Sequence, residues 1–293
     1  MLPIDAIAKQ LSNTLDRPTQ IVHQRAISGG CINQTAALTD QFGNQFFVKL
    51  NDTDKRDMFA AEAAGLHELL ATNAITVPAP ILLGESHDHA FLVLEYFELS
   101  GDVDAQALGE ALAQLHRCEQ PRFGWHRNNT IGTTPQLNDW TDDWISFYSE
   151  LRLRYQLQLG ERRGLSARLQ RLGDKLLVRL TDFFSGYSPR PSLLHGDLWA
   201  GNYSALADGT PVIFDPAVYY GDRETDIAMT ELFGGFSPNF YDAYNANYPL
   251  DPGYTVRKEL YNLYHILNHA NLFGGGYGPQ AERMMERLLS TVS

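Results

Sequence analysis

The stretch SLLHGDLWAGNYSALADGTPVIFDP at 192–216 constrains this chain more than any other. Two leucines, Leu193 and Leu194, run into His195-Gly196-Asp197, and four residues then separate Asp197 from Asn202. An Asp208-Gly209 turn signal precedes a β-like run, Pro211 to Phe214, which ends on Asp215. One loop therefore holds a carboxylate and an amide a short step apart. A hairpin then brings a second carboxylate back.

Phosphoryl transfer uses its parts in that order: an Asp beside the attacking hydroxyl, an Asn for Mg²⁺, and a second metal-binding Asp after a hairpin. On this reading Asp197 takes the proton, and Asn202 and Asp215 hold the metal. HxDxxxxN alone is a modest motif, because a solvated loop also carries Asp and Asn. The strand that follows, with its terminal Asp215, strengthens it.

A matching cation lies upstream. Gln45 to Leu50 alternates as a strand, with Phe46, Val48 and Leu50 on one face and Phe47 and Lys49 on the other. Met58 to Thr72 reads as a helix with Phe59, Ala63, Leu66 and Leu70 on its core stripe and Glu62 at the margin. An inward carboxylate needs a cation. Lys49 and Glu62 form the natural pair, with Lys49 aimed at nucleotide phosphates.

Between the strand-like runs 21–27 and 34–38 lies Ser28-Gly29-Gly30-Cys31-Ile32-Asn33. Strand, glycine turn, strand is how backbone N–H groups approach a phosphate. A plain hairpin turn has the same look, and the full GxGxxG is missing. Val77-Pro78-Ala79-Pro80 is a rigid connector, and the buried strand Ala90 to Glu95 leads into Glu95-Tyr96-Phe97. Beyond it the chain reads as helices: 102–118, a long one through Trp144, Phe147, Tyr148, Leu151 and Tyr155 with Arg152 and Arg154 on its polar face, then 165–180, 255–272 and 279–291. His265 and His269 stand four apart without the Glu of HExxH, which points to core or surface polar residues rather than metal ligands.

Lys and Arg number 23 against 35 Asp and Glu, a net charge of −12, which argues against nucleic-acid and acidic-membrane partners. Two cysteines, Cys31 and Cys118, make no disulfide framework, and the reading is a cytoplasmic protein. No signal-peptide core or apolar run of membrane length appears.

HGDLWAGN with Trp199 inside the loop, FDPAVYYGDRETDIAMTELFGGF at 214–236, GGCIN at 29–33 and LYHILNHANLFGGGY at 263–277 together resemble the fructosamine kinase (ketosamine-3-kinase) family, from about residue 21 to 278. The resemblance implies an α+β, bilobal protein-kinase-like fold. A small antiparallel-sheet lobe at 1–96 would bind ATP, and a larger helical lobe at 97–293 would bind the acceptor. It implies ATP and Mg²⁺, with Gly29, Gly30 and Cys31 at the phosphates and Glu95, Tyr96 and Phe97 as the adenine hinge. Trp199 and His195 fall on the acceptor side, and the irregular loop 123–136 is expected near the acceptor, although its residues alone equally suit a packed surface loop. The acceptor would be a ketosamine, free or on a glycated protein, phosphorylated at the sugar 3-hydroxyl so that the adduct decomposes. Pro216 after Asp215, Gly196 in the position of a protein-kinase Arg, and no APE sequence imply that no activating phosphorylation is needed. Asp226 is expected to bond the catalytic-loop backbone.

Other readings stay open at this point. A phosphotransferase of the aminoglycoside or choline kinase type shares the scaffold. A non-catalytic nucleotide-binding or redox-sensing module is more distant, since such modules usually lose one of Lys49, Glu62, Asp197, Asn202 and Asp215. A thiol at Cys31, beside backbone N–H groups that favour anions, suits oxidant sensing. The chain would then be a monomer or a redox-linked homodimer.

Overall fold

The computed structural model describes residues 2–27, 32–99 and 102–292. The chain packs as two units, one of Met1–Asp104 with Ser204–Asp215 and the other of Ala105–Tyr203 with Pro216–Ser293. The boundary expected at 96/97 falls inside the first unit, which also takes in the hairpin that ends on Asp215.

The first unit contains helix α1 (Ile4–Thr14), strands β1 (Ile21–Ala26), β2 (Gln34–Asp40) and β3 (Gln45–Asp52), helix α2 (Arg56–Thr72), and strands β4 (Pro80–Glu85) and β5 (His89–Glu95). The strands form one antiparallel sheet in the order β1-β2-β3-β5-β4. Turn chemistry sets the β2–β3 register. Asp40 Oδ1 accepts from the backbone N–H groups of Phe42 and Asn44 at 2.9 and 2.8 Å, and Gly43 supplies the left-handed φ of +86°.

Strand alternation builds the core. Phe46, Val48 and Leu50 join Ile7, Leu11, Leu38, Phe91 and Val93 in one cluster on the face that α1 covers. Lys49 points the other way, towards α2. The buried stripe of that helix differs from expectation: Phe59, Ala61, Gly65, Leu66 and Leu69 are buried, while Ala63 and Leu70 are half-buried. At 3.6 residues per turn this set centres on Glu62, so the carboxylate sits mid-stripe instead of at its margin.

The second unit is mainly helical: α3 (Ala105–Leu115), a hairpin of β6 (Asn129–Ile131) and β7 (Thr134–Gln136), α4 (Trp144–Tyr148), α5 (Tyr155–Arg162) and α6 (Ala167–Val178). Strand β8 (Ser192–Leu194) follows and pairs with β11 (Tyr219–Gly221). Strands β9 (Tyr203–Ala205) and β10 (Pro211–Ile213) form the hairpin before Asp215 that the first unit takes in. Helices α7 (Glu224–Thr230), α8 (Pro238–Asn247), α9 (Tyr254–Phe273) and α10 (Tyr277–Thr291) complete the chain.

Helix α9 is buried without a break from Leu260 to Asn268, as expected of a helix packed against α5, α7 and α10. The long helix expected through Trp144 and Tyr155 forms with a π-helical stretch, Ser149–Arg154, joining α4 to α5. That stretch turns Arg152 inward. Arg152 was expected on the polar face, but it is fully buried. Its guanidinium donates to Leu137 O and Asn138 Oδ1 and lies over the rings of Tyr219 and Phe147 at 4.2 and 4.5 Å. Among the described residues, no helix is long and apolar enough to cross a membrane.

Candidate active site

In the first unit the site begins at Lys49, in the middle of β3 between Thr35 on β2 and Leu92 on β5. Its Nζ lies 2.5 Å from Glu62 Oε1 and 2.5 Å from Asp215 Oδ1. Burial by itself would lower the Lys49 pKa, but the charges of Asp215 and Glu62 outweigh it and hold the pKa above its ordinary value. Burial pushes Glu62 upward, against the pull of Lys49.

Asp215 reaches Lys49 because its hairpin is fastened to the same unit. Ile213 N donates to Thr76 O at 3.0 Å. Asp215 itself has φ +59°, a left-handed conformation that costs a non-glycine residue roughly 1–2 kcal/mol. Such strain concentrates at functional positions. Its side chain is 45% exposed.

In the second unit the site is one loop. Gly196 has φ +82°, and a Cβ there would stand 2.1 Å from Ala217 O, so only glycine fits. Asp226 does bond the loop backbone: its Oδ2 and Oδ1 accept the N–H groups of His195 and Gly196 at 2.7 and 2.9 Å. Burial would raise the Asp226 pKa, but His116 and these amides outweigh it and hold it below the usual carboxylate range. His116 sits between Asp226 Oδ2 (3.2 Å) and the hydroxyl of Tyr244 (2.8 Å), and burial lowers its pKa. Nothing in the sequence around Leu115-His116-Arg117 signals this role, because helix spacing makes His116 look like an ordinary polar residue after α3.

His195 is fully buried, with Nδ1 3.3 Å from the Asp197 N–H that it accepts. Asn202 Nδ2 donates to Asp197 O at 2.9 Å and to Asp197 Oδ2 at 3.3 Å. These bonds turn the nitrogen of the Asn202 amide towards Asp197. Trp199, 39% exposed, folds back over Gly201, where a Cβ would meet the indole at 2.3 Å. Phe233 packs edge-on to Trp199 at 6.4 Å, and His269 lies 5.0 Å from Phe233.

The loop 123–136 braces the segment after Asp215. Gln136 Nε2 donates to Ala217 O at 3.0 Å and Asn129 Nδ2 to Val218 O at 2.8 Å. Burial drives His265 down to about 3, so it is a neutral core histidine. Among the described residues no three His, Cys, Asp or Glu side chains converge as a metal site.

Glu95 closes β5, its N–H donating to Ala79 O at 2.8 Å and its carboxylate accepting from Ala79 N at 3.3 Å. The hydroxyl of Tyr96 accepts from Arg25 at 2.9 Å, and Phe97 is half-buried. Gly29, Gly30 and Cys31 lie outside the described residues.

An antiparallel sheet carrying a Lys–Glu pair, together with a helical unit carrying the Asp197–Asn202 loop, defines a protein-kinase-like phosphotransferase. Within that class, the fructosamine kinase model matches residues 3–291, and the chain belongs to the fructosamine kinase family. It is 49% identical over 293 residues to a probable ketoamine kinase of Synechocystis, covering 98% of this chain and 97% of that one. To a chloroplastic protein-ribulosamine 3-kinase of Oryza sativa it is 41% identical, over 94% of this chain and 81% of the relative. The crystal structure of a putative fructosamine-3-kinase from Haemophilus somnus superposes with a TM-score of 0.89 at 33% identity, covering 97% of each chain.

Proposed function

We propose that this chain transfers the γ-phosphoryl group of ATP to the 3-hydroxyl of a ketosamine, so that the phosphorylated adduct decomposes and frees its amine. Asp197 orients that hydroxyl and takes its proton as the oxygen bonds to phosphorus and the bond to the departing ADP breaks. Lys49, fixed by Glu62, meets the α- and β-phosphates, and Glu95, Tyr96 and Phe97 meet the adenine. Trp199 stacks on the sugar. His195, being buried, serves the acceptor through the Asp197 amide and not by contact.

Asn202 and Asp215 would hold Mg²⁺. Both offer hard oxygen donors, and one or two side chains beside substrate phosphates is the usual supply for this ion. When bound, Mg²⁺ neutralises charge on the transferring group. What carries the reading is the turn of Asn202: its nitrogen fixes Asp197, and its oxygen remains for the metal.

The test is ATP turnover with Mg²⁺ and a panel of fructosamines, ribulosamines and erythrulosamines, with the product's phosphate located by NMR. Mg²⁺-dependent phosphorylation at the 3-hydroxyl is expected. ATP hydrolysis that no ketosamine stimulates would overturn the assignment.

A further inference from the structure

Trp199 is the first ring of a row. Phe233 stands edge-on to it at 6.4 Å, His269 follows at 5.0 Å, and Phe273 and Tyr277 flank His269 at 5.4 and 5.1 Å. The row is open to solvent at both ends, with Trp199 39% and Phe273 61% exposed. An aromatic ring this exposed at the end of a helix contributes little to the fold. Phe233 is followed by Gly234 and Gly235, at φ +99° and +74°, where an added Cβ would meet nothing. Packing does not require those glycines. Their left-handed backbone, which favours glycine, accounts for them.

We infer that this row is a subsite for the amine-bearing half of the acceptor, and that it selects an aliphatic chain carrying a cation. The inference rests on the ketosamine reading above. In a ketosamine the nitrogen is on C1, two carbons from the 3-hydroxyl. With that hydroxyl at Asp197 and the sugar on Trp199, the nitrogen and its substituent leave the sugar along the surface that continues from Trp199. Rings favour such a substituent in two ways. Their faces attract an ammonium, and their bodies cover methylene groups. The net charge of −12 favours the same cation at longer range. A lysine side chain carrying the sugar fits this chemistry, whereas an acidic or very short amine gains nothing from the row.

Two ribulose adducts that share the same ammonium separate the sugar from the aliphatic chain: one of methylamine, and one of Nα-acetyllysine amide bearing the sugar on its side-chain nitrogen. We expect Phe273→Ala to raise KM for the acetyllysine adduct about 3- to 10-fold. The methylamine adduct should stay within about twofold, kcat should be unchanged for both, and Phe273→Trp should restore the difference. Phe233→Leu should act in the same direction. Equal effects on the two adducts, or none on either, overturn the subsite while leaving the phosphotransfer assignment in place. Wild-type enzyme that phosphorylates neither adduct overturns both.

Discussion

Lys49 Nζ bonds Asp215 Oδ1 at 2.5 Å, so the cation proposed for the phosphates already neutralises a carboxylate proposed for the metal. The same Nζ bonds Glu62. One buried cation thus serves two acids, and its removal leaves Glu62 enclosed without a counter-charge. Lys49→Met should therefore cost roughly 3–5 kcal/mol of stability, the usual result of breaking a buried pair. Adding Glu62→Leu should recover most of that loss without restoring activity. Denaturant melts of the two variants check it. A single variant as stable as wild type would show that Glu62 is not dependent on Lys49.

Asp197→Asn keeps the shape of the loop and removes the proton acceptor. Turnover should fall by about 10²–10⁴, with ATP affinity little changed. Steady-state rates and nucleotide titration together decide it, and near-normal turnover would remove Asp197 from the proposed mechanism.

Glycine substitutions should separate the loop from an ordinary turn. Gly196→Ala meets both a left-handed φ of +82° and the Ala217 carbonyl at 2.1 Å, so the loop must shift and activity should be lost. Gly43 has a similar φ of +86° but nothing within 4 Å, so Gly43→Ala should cost about 1 kcal/mol and leave kinetics intact. Thermal melts alongside rates distinguish the two cases.

Acid stability should reflect the buried histidines. His265 is neutral in the folded chain, its pKa pushed by burial from the ordinary 6.5 down to about 3. The unfolded chain binds the extra proton, so this contribution is complete above about pH 6.5 and is lost as the pH falls from there towards 3. His116, also lowered by burial, adds to it in the same direction. Stability should decline by about 1.4 kcal/mol per pH unit for each such proton. His265→Gln should flatten the slope by about one proton, and an unchanged slope would place the titration elsewhere.

The order of groups in the candidate loop was legible in the sequence because their spacing is local. The spacing from Asp197 to Asn202, the turn at Asp208-Gly209 and the terminal Asp215 lie within twenty residues, and short-range backbone geometry fixes their order. Strand alternation likewise separated Lys49 from the Phe46, Val48 and Leu50 face, and Asp226 was expected on the loop backbone, where it is found.

What the tertiary structure decided depends on contacts that no local pattern encodes. A π-helical stretch rotated Arg152 from the expected polar face into the interior. The buried stripe of α2 turned about its axis and put Glu62 at its centre, because packing against β4 and β5 selects the stripe and propensity does not. The loop 123–136 became a brace for Ala217 and Val218 through amide side chains more than eighty residues away in sequence. The sequence determined which groups are candidates for the proposed chemistry. Long-range packing decided what holds them, because burial leaves each polar group only the partners that the fold brings within hydrogen-bond reach.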